Sequence, residues 1–291
     1  MAFPLVNDLR TIEFGNPGES RARLIDFVIN GNKRATAGLL RDYEEEGEPI
    51  EFVGECLAMI DDYGSHVATL RVTRTEVSRF IDVPDEFALA EAEGDLNAAD
   101  FRASHHAFWT DAGKTITDDT MVVQVYFELL PHRLRPLRPS DAEWIYRACQ
   151  DEEVQRWTVV PRPYTADHAR EFVNGSSNGY LVRVIHDARI DEPVGVVSIH
   201  NIDGGVATVG YWVAPWGRKR GAASSALKTL TSIATRISGV HTVRATVAET
   251  NLASRATAER SGLRFHQQSA NSCPDGDTRS RGLDYELALR V

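Results

Sequence analysis

A short basic segment stands immediately before a run of small residues in the second half of the chain. The basic segment is Arg218–Arg220 and the small residues are Gly221–Ala226. Val206–Val213, just upstream, is β-branched and aromatic and predicts a half-buried strand, which Pro215 and Gly217 terminate. A strand that leads into the N-terminus of a small-residue helix presents unpaired amides and the positive end of the helix dipole. The segment therefore predicts a diphosphate-binding loop, with a basic loop that merely caps an ordinary helix as the alternative.

Two adjacent histidines, His105 and His106, raise the question of a metal site. Neighbouring side chains on a helix point about 100° apart and rarely bind one ion, and the sequence offers no evident third ligand beside them. Cys56, Cys149 and Cys273 are odd in number and far apart, which argues against a zinc site and against a disulfide framework. We expect no metal and a reducing, cytoplasmic environment.

The bulk composition is that of a globular protein. The 291 residues are 42% apolar and 25% charged, and the length suggests about two domains. No apolar run reaches about 18 residues, so we expect no membrane span. The first residues, MAFPLVNDLRTIEF, lack a basic region followed by an apolar core, so we expect no signal peptide.

The charge is distributed unevenly along the chain. Residues 1–130 contain 11 Lys and Arg against 25 Asp and Glu, whereas residues 131–291 contain 21 against 17. Two halves with such different charge support two domains, 1–130 and 131–291. The acidic first half also argues against strong non-specific binding to nucleic acid, which depends on neutralising many phosphates.

The elements that must position the candidate residues follow from the hydrophobic pattern. In the first half, an amphipathic helix is predicted over 19–29, a solvated turn over 44–46, and helices over 86–109 with a break at Gly94; strands are predicted over 56–60, 67–72 and 121–129. In the second half, strands are predicted over 180–186, 194–200, 206–213, 240–248 and 283–289, a helix over 251–261, and a polar loop over 272–281. The order of these elements predicts a mixed α/β sandwich for the second half.

The second half resembles the GNAT acetyltransferases, in particular their RimJ/RimL-like branch. The resemblance covers about 135–289. It rests on four segments in the family's order: Arg218-x-x-Gly221-x-Ala223, Gly210-Tyr211-Trp212-Val213-Ala214-Pro215, Asn251-x-x-Ser254-Arg255 and Glu259-Arg260-x-Gly262-Leu263. It implies a central sheet whose strands splay apart, acetyl-CoA as the cofactor and an amine as the acceptor.

The resemblance also implies roles for individual residues. The diphosphate is expected on the loop residues Arg218, Lys219, Arg220, Gly221, Ala222 and Ala223. A backbone amide near Val213 would hold the thioester oxygen, and Asn251 would bridge the splayed strands or meet the pantetheine arm. Ser254 is the candidate for protonating the departing thiolate, with a hydroxyl satisfied inside its own helix as the alternative.

The general base is not given by the family pattern. Related sequences often carry Glu two residues before the Gly-Tyr pair, whereas this chain has Thr208, which cannot accept a proton at neutral pH. His200, Asp203 and Glu249 are the substitutes, each with an ordinary surface or core role as the alternative. Trp157 and Tyr164 are candidates for contact with the acceptor, or else aromatic core residues; both lie on helices that cover the acceptor side in the family.

The first half is similar to the ASCH domain, a small β-barrel related to the PUA RNA-binding modules. The similarity covers about 14–128, with Phe101 where the family usually has Trp. It rests on Gly31-x-Lys33-x-x-Thr36, on Phe80 before Val83, on Glu91-x-Glu93-Gly94-Asp95, and on Arg102, His105 and Phe108-Trp109.

Some small ASCH proteins hydrolyse the acetyl amide of N4-acetylcytidine with a Lys, a Thr and a Glu. Lys33, Thr36 and Glu93 match these three positions. A hydroxyl nucleophile needs a nearby base, and a lysine desolvated beside a carboxylate can supply one. The alternatives are a structural ion pair between Lys33 and Glu93, with Thr36 starting a strand, and a pocket that only binds a base or nucleotide.

The sequence thus predicts a two-domain α+β protein, with a PUA-like β-barrel followed by a GNAT mixed α/β fold with a splayed sheet. The predicted function is acetyl-CoA-dependent N-acetyl transfer to a protein N-terminus, a small amine or a nucleobase, while the ASCH domain binds a nucleoside or RNA. The alternatives are an amidohydrolase in the first half and a sensor without catalytic activity. We expect no membrane partner.

Overall fold

In residues 4–130, the apolar runs of the first half assemble into one six-stranded sheet with four helices. A computed structural model describes residues 4–175 and 180–289, and the chain divides into two compact units, Met1–Leu130 and Pro131–Val291. The strands of unit 1 are β1 (Leu5–Val6), β2 (Leu9–Ile12), β3 (Ala35–Leu39), β4 (Cys56–Ile60), β5 (His66–Arg79) and β6 (Met121–Leu130). Its helices are α1 (Glu19–Ile29), α2 (Leu40–Glu46), α3 (Asp85–Glu91) and α4 (Ala98–Asp111), with a 3-10 turn at Phe80–Asp82.

The strand order in unit 1 is β1-β2-β4-β5-β6-β3. Every residue of β4 is buried, as expected for a central strand written as one continuous apolar run. The helical pair α3 and α4 covers an aromatic cluster that includes Phe80, Phe87, Phe101 and Trp109. The predicted break at Gly94 lies between these two helices, where its φ is +119°.

The sheet of unit 1 does not close into the predicted barrel. Among the described residues, β1 and β3 are its two edges and do not pair with each other. β1 has two residues, so it presents few backbone groups that could pair with another strand. β3 runs directly into α2, which packs against β3 and β6. A short edge and a covered edge leave the sheet open.

In residues 131–175 and 180–289, unit 2 is a seven-stranded sheet with five helices. Its strands are β7 (His132–Arg135), β8 (Leu181–Asp187), β9 (Glu192–Asp203), β10 (Val206–Val213), β11 (Thr242–Ala248), β12 (Arg264–Asp275) and β13 (Thr278–Ala288). Its helices are α5 (Ala142–Ala148), α6 (Glu152–Trp157), α7 (Ala166–Asn174), α8 (Ala222–Ala234) and α9 (Leu252–Arg260), with 3-10 turns at Pro139–Asp141 and Pro215–Gly217. No helix in the described part of the chain is long and apolar enough to cross a membrane.

The strand order in unit 2 is β12-β13-β11-β10-β9-β8-β7. Neighbouring strands are antiparallel except β10 and β11, which run parallel and are connected through α8. A parallel pair requires such a crossover, and α8 packs on β9 and β10. Its small residues let it approach the sheet closely, and Ala226, Leu227 and Leu230 are buried there.

Two expectations for polar segments are wrong. Glu44–Glu46 is exposed but forms the end of α2, which Gly47 terminates with a φ of +68°. The segment 272–281 is not a loop but the distal part of the β12–β13 hairpin. Polar residues are compatible with both elements because an exposed helix face and a solvated hairpin do not require an apolar pattern.

Candidate functional site

The segment between β10 and α8 forms the candidate anion loop in unit 2. Gly221 is the N-cap of α8 with a φ of +78°, and no side chain accepts a hydrogen bond at that cap. A φ in this range favours glycine, because L side chains are strained there. The amides of Ala222 and Ala223 open the helix without a side-chain acceptor, and both residues line a cavity of about 590 Å³. This is the geometry in which a helix N-terminus binds a phosphate group.

The three cations of the loop have different partners. The Arg218 guanidinium forms an ion pair with Asp151, whose carboxylate also accepts from the Val154 amide at 2.9 Å. Burial raises the pKa of Asp151, but the hydrogen bonds from Arg218 and Val154 outweigh it and leave that pKa below its usual value. The ion pair therefore connects the loop to the N-terminus of α6. Arg218 also lines the cavity.

Lys219 and Arg220 are both exposed, but they differ in their position relative to the cavity. Lys219 lines it and has a φ of +60°. Arg220 is not among the described lining residues, and its carbonyl accepts from the Arg189 guanidinium at 3.2 Å. The structure therefore brings Lys219, but not the Arg220 side chain, to the wall of the cavity.

Ser254 and Asn251 lie at the start of α9 and line the same cavity. The Asn251 side chain caps the helix, since its Oδ1 accepts from the Ser254 amide at 2.9 Å. The Tyr211 hydroxyl lies 2.8 Å from Ser254 Oγ and 3.1 Å from the Ser254 carbonyl oxygen, and it can donate to either. When Tyr211 donates to Ser254 Oγ, the Ser254 Oγ–H can donate into the cavity.

The Val213 amide points into the gap beside β10. Ala214 N donates to Val194 O at 2.8 Å across β9. Successive residues of a strand direct their amides to opposite edges, so the Val213 N–H is directed away from β9. On that side, the described pairs between β10 and β11 end at Val209 with Ala245, and Val213 lines the cavity. The Val213 N–H can therefore donate to a group inside it.

A second cavity of about 450 Å³ lies on the other side of β10 residues Tyr211 and Trp212. These two residues and Thr158 line both cavities, so the cavities meet there. Tyr164 lines the second cavity and Trp157 lines the first. The role of Tyr211 as a hydroxyl donor could not be predicted from the sequence, because its partner Ser254 is 43 residues away.

His200 lines the second cavity because β9 carries a bulge. Ile199 pairs with Val209 and Asn201 pairs with Thr208, which leaves His200 as the extra residue. The imidazole lies over Gly210, where an added Cβ would approach His200 Cε1 to 2.7 Å. His200 is exposed on one side, but the partial desolvation of its imidazole at the cavity wall lowers its pKa, so the imidazole is neutral at pH 7 and can accept a proton.

The other two candidate bases lie elsewhere. Glu249 forms an ion pair with Arg281 at 3.3 Å. Asp203 is the last residue of β9. Neither is among the described residues that line the two cavities. Of the three substitutes for the missing glutamate, the structure brings His200 alone to a cavity wall in the part of the chain that it describes.

The turn of the β12–β13 hairpin connects the two sides of the first cavity. The Asp275 carboxylate accepts from Arg156 Nε on α6 and from Thr250 Oγ1 before α9, each at 2.8 Å. Gly276 N donates to Arg156 O at 2.9 Å. Residues of α6 and α9 line the cavity, so this turn fixes the distance between its two walls.

In unit 1, Lys33 is buried at the centre of a polar cluster. Its side chain is fully buried, and its Nζ lies 2.5 Å from Glu93 Oε1 and 3.8 Å from Glu91 Oε1. Glu91 is buried as well, and its Oε2 lies 3.3 Å from His105 Nε2. Burial raises the pKa of Glu91 to about 8, with a smaller opposing effect from Lys33. At neutral pH, the cluster therefore consists of one ion pair, Lys33 with Glu93, beside a protonated Glu91.

Thr36 lies on β3, where it pairs with Val125, and is partly buried. The structure brings Lys33 and Glu93 together, and no described hydrogen bond joins Thr36 to either. Glu91 was missed as a member of the cluster, although it stands in the same acidic block as Glu93. Among the described residues, no group of three or more His, Cys, Asp or Glu side chains is arranged to hold a metal ion.

Comparisons with known proteins match both halves of the chain. The acetyltransferase (GNAT) domain model matches residues 132–264, and the ASCH domain model matches residues 10–131. No curated protein matches the chain.

Solved structures resemble each half separately. The ASCH domain from Lactobacillus crispatus is 23% identical, covering 41% of this chain and 77% of its own length, with a TM-score of 0.37. RimJ from Mycobacterium smegmatis, in complex with CoA-disulfide, is 23% identical, covering 54% and 82%, with a TM-score of 0.48. A GNAT-family acetyltransferase from Bacillus anthracis is 20% identical, covering 54% and 95%, with a TM-score of 0.47.

The two family models confirm both assignments made from the sequence. The α+β character of the two halves agrees with those assignments. The chain therefore carries an ASCH domain at residues 10–131 and an acetyltransferase domain of the GNAT family at residues 132–264.

Proposed function

We propose that residues 131–291 bind acetyl-CoA in the 590 Å³ cavity and transfer its acetyl group to a primary amine that enters the 450 Å³ cavity. The observation that carries the proposal is the start of α8, with two amides free of side-chain acceptors at the wall of the first cavity. The coenzyme supplies an activated acetyl thioester.

In this proposal the reacting groups meet near Tyr211 and Trp212, which line both cavities. The amides of Ala222 and Ala223, with the Lys219 ammonium beside them, hold the diphosphate. The Val213 N–H, directed away from β9, donates to the carbonyl oxygen of the acetyl group. This role requires β10 and β11 to diverge beyond Val209, and the end of their described pairing there supports such a splay.

Ser254 supplies the proton that the leaving sulfur needs. Its Oγ–H donates to that sulfur while the Tyr211 hydroxyl, 2.8 Å away, holds the serine in place. Burial raises the pKa of Tyr211 to about 12, partly offset by its hydrogen bond to Ser254, so the phenol stays protonated through neutral pH. Tyr211 is therefore a positioning residue and a route by which Ser254 regains its proton.

His200 removes the proton of the attacking amine. A new C–N bond forms as the C–S bond breaks, the amine proton passes to the imidazole, and a proton passes from Ser254 to the sulfur. His200 suits this role because its lowered pKa keeps the imidazole neutral at pH 7 and because it lines the cavity assigned to the amine.

Replacing His200 and Ser254 one at a time distinguishes the effect of the base from that of the acid. The base is active when unprotonated, so kcat/KM falls as pH decreases through the His200 pKa, which lies below its ordinary value of 6.5. His200→Ala should remove that acidic limb, whereas Ser254→Ala should keep it and lower kcat about tenfold, since a thiolate is a good leaving group even without an acid. The measurement is kcat/KM between pH 5 and 8, and an unchanged limb in His200→Ala would rule out His200 as the base.

The transferase activity itself is tested by calorimetric titration with acetyl-CoA and by release of free thiol in the presence of amines. We expect micromolar binding and amine-dependent thiol release. Failure to bind acetyl-CoA would refute the proposed function. Binding without thiol release for any amine would favour a sensor that does not turn over.

A second candidate function concerns the ASCH domain alone. The contact of Lys33 with Glu93 at 2.5 Å supports hydrolysis of an acetyl amide on a nucleobase such as N4-acetylcytidine, in which Lys33 passes its proton to Glu93 and then takes the proton of Thr36, the nucleophile. The test is release of acetate from N4-acetylcytidine by the wild type and its loss in Thr36→Val. If the wild type releases none, the cluster either binds a nucleoside or RNA base without chemistry, or is purely structural.

The proposed setting is the cytoplasm, which agrees with the absence of a disulfide at Cys56, Cys149 and Cys273. The acidic first half, with 25 Asp and Glu against 11 Lys and Arg, favours a single nucleoside over a long nucleic-acid backbone as its ligand.

A further inference from the structure

The cavity assigned to the acceptor has one carboxylate and no Lys or Arg in its described lining. Its described lining contains aromatic and aliphatic side chains, among them Tyr164, Phe172, Val182, Val196 and Trp212. No Lys or Arg is among the described lining residues, and Glu171 on α7 is the one carboxylate. A cavity of about 450 Å³ lies within the usual range of small-molecule sites, about 300–1000 Å³.

Neither histidine in the wall adds a positive charge to it. His168 Nδ1 accepts from the Thr165 amide at 3.1 Å, so that nitrogen carries no proton. His200 is neutral because the partial desolvation of its imidazole lowers its pKa. The described lining therefore carries one negative charge and no positive one.

Two nearby arginines are paired with carboxylates outside the cavity. Arg170, one residue before Glu171, forms an ion pair with Asp167. Arg162 forms an ion pair with Asp277 at 3.1 Å. Neither guanidinium is among the described groups that line the cavity, so neither offers a phosphate a binding partner there.

The walls are fixed in position before any ligand enters. Trp212 packs against Trp144 with ring centroids 5.7 Å apart. Tyr164 is buried and packs against His168 at 5.6 Å. Rigid aromatic walls favour a ligand with an apolar body, because little ordering is needed on binding.

We infer that the acceptor is a small primary amine on an aromatic or aliphatic body, which arrives as an ammonium ion drawn by Glu171, releases one proton to solvent before it attacks as the neutral amine, and carries no phosphate group. This inference rests on the proposed function and narrows its substrate. An ammonium is attracted by the single carboxylate, whereas a phosphate would meet a negative charge with no cation to offset it. Nucleotides and phosphorylated amines are therefore excluded as acceptors.

The test compares amines that differ in one charged group, with kcat/KM measured at fixed acetyl-CoA. Tyramine should exceed O-phosphotyramine, and phenylalaninamide should exceed phenylalanine, each by at least about tenfold. Cytidine 5′-monophosphate and a tetrapeptide amide with N-terminal phenylalanine complete the panel. Calorimetric binding of acetyl-CoA is measured on the same preparation.

Variants of Glu171 test the charge directly. Glu171→Gln should raise KM for tyramine about two- to fivefold, the effect of one exposed charge pair. Glu171→Lys should raise it further and reduce the preference over O-phosphotyramine. Asp167→Asn is the matched control on the same helix, because Asp167 is paired with Arg170 and is not among the described lining residues. It should leave both KM values unchanged.

The outcomes distinguish this inference from the proposed function. Failure to bind acetyl-CoA overturns the proposed function. If acetyl-CoA binds, a preference for the phosphorylated amine or for cytidine 5′-monophosphate overturns the inference alone, as does the absence of transfer to every apolar amine. A kcat/KM for the tetrapeptide amide well above that of phenylalaninamide also overturns it, in favour of a peptide N-terminus.

Discussion

Gly221→Glu should weaken the binding of acetyl-CoA at least about 100-fold. Gly221 has a φ of +78° and is the N-cap of α8, so a glutamate there is strained. No heavy atom lies within 4 Å of the place where its Cβ would be built, so the side chain would occupy open space beside the cavity that Gly221 lines. Its carboxylate would compete with the diphosphate for the amides of Ala222 and Ala223 and repel it. The measurement is calorimetric titration with acetyl-CoA.

Gly239→Glu is the matched control for this variant. Gly239 is exposed, has a φ of +80°, and likewise has no heavy atom within 4 Å of an added Cβ. It is not among the described residues that line the 590 Å³ cavity. The two substitutions therefore impose the same backbone strain and add the same charge. Equal loss of affinity in both variants, or wild-type affinity in Gly221→Glu, would show that the diphosphate does not bind at the start of α8.

Local signals explain which parts of the transferase unit could be predicted from the sequence. The bounds of β10, Val206–Val213, agree with the prediction, as does a helix that begins after Gly221. Both follow from neighbouring residues alone: β-branched residues in a strand, then Pro, Gly and small residues at a helix start. The β12–β13 hairpin escaped prediction, because its exposed strands carry no alternating apolar pattern.

Contacts between distant residues explain what the sequence could not reveal. The ion pair between Arg218 and Asp151 spans 67 residues, and it gives Arg218 a partner within the protein rather than leaving it free for the coenzyme. The bulge that directs His200 to the acceptor cavity depends on the register between β9 and β10. Register is set by the packing of the whole sheet, so a list of candidate bases could name His200 but not select it.

In the polar cluster of the ASCH domain, the burial of Glu91 likewise could not be predicted from the sequence. The sequence predicted a pair between Lys33 and Glu93, which the structure shows at 2.5 Å. It did not predict that a second carboxyl group would be buried beside them. His105 Nδ1 lies 3.2 Å from the Phe101 carbonyl oxygen, to which it donates, so its Nε2 is the acceptor that faces Glu91 Oε2 at 3.3 Å. Glu91 Oε2 has no described hydrogen-bond partner, so burial favours the neutral, protonated carboxyl group at this position.

The stability of the ASCH domain should consequently decrease as the pH rises from about 4.5 to about 8. Glu91 has an ordinary pKa of 4.5 when unfolded and a pKa of about 8 in the folded domain, so the unfolded chain binds fewer protons throughout that window. Stability then falls by up to about 1.4 kcal/mol per pH unit and levels off above the folded pKa. The measurement is the free energy of opening of the β4, β5 and β6 amides in the full chain, by hydrogen exchange at several pH values.

Glu91→Gln tests whether the slope of stability with pH comes from the titration of Glu91. The amide cannot ionise and has nearly the same shape as the carboxyl group, so the variant should lose the slope between pH 4.5 and 8 and be more stable than the wild type at pH 8. Glu76→Gln, a change at a half-exposed carboxylate on β5, should keep the wild-type slope. A wild-type slope in Glu91→Gln would mean that Glu91 is already ionised in the folded domain, and that the Lys33 ammonium is shared between two carboxylates rather than paired with Glu93 alone.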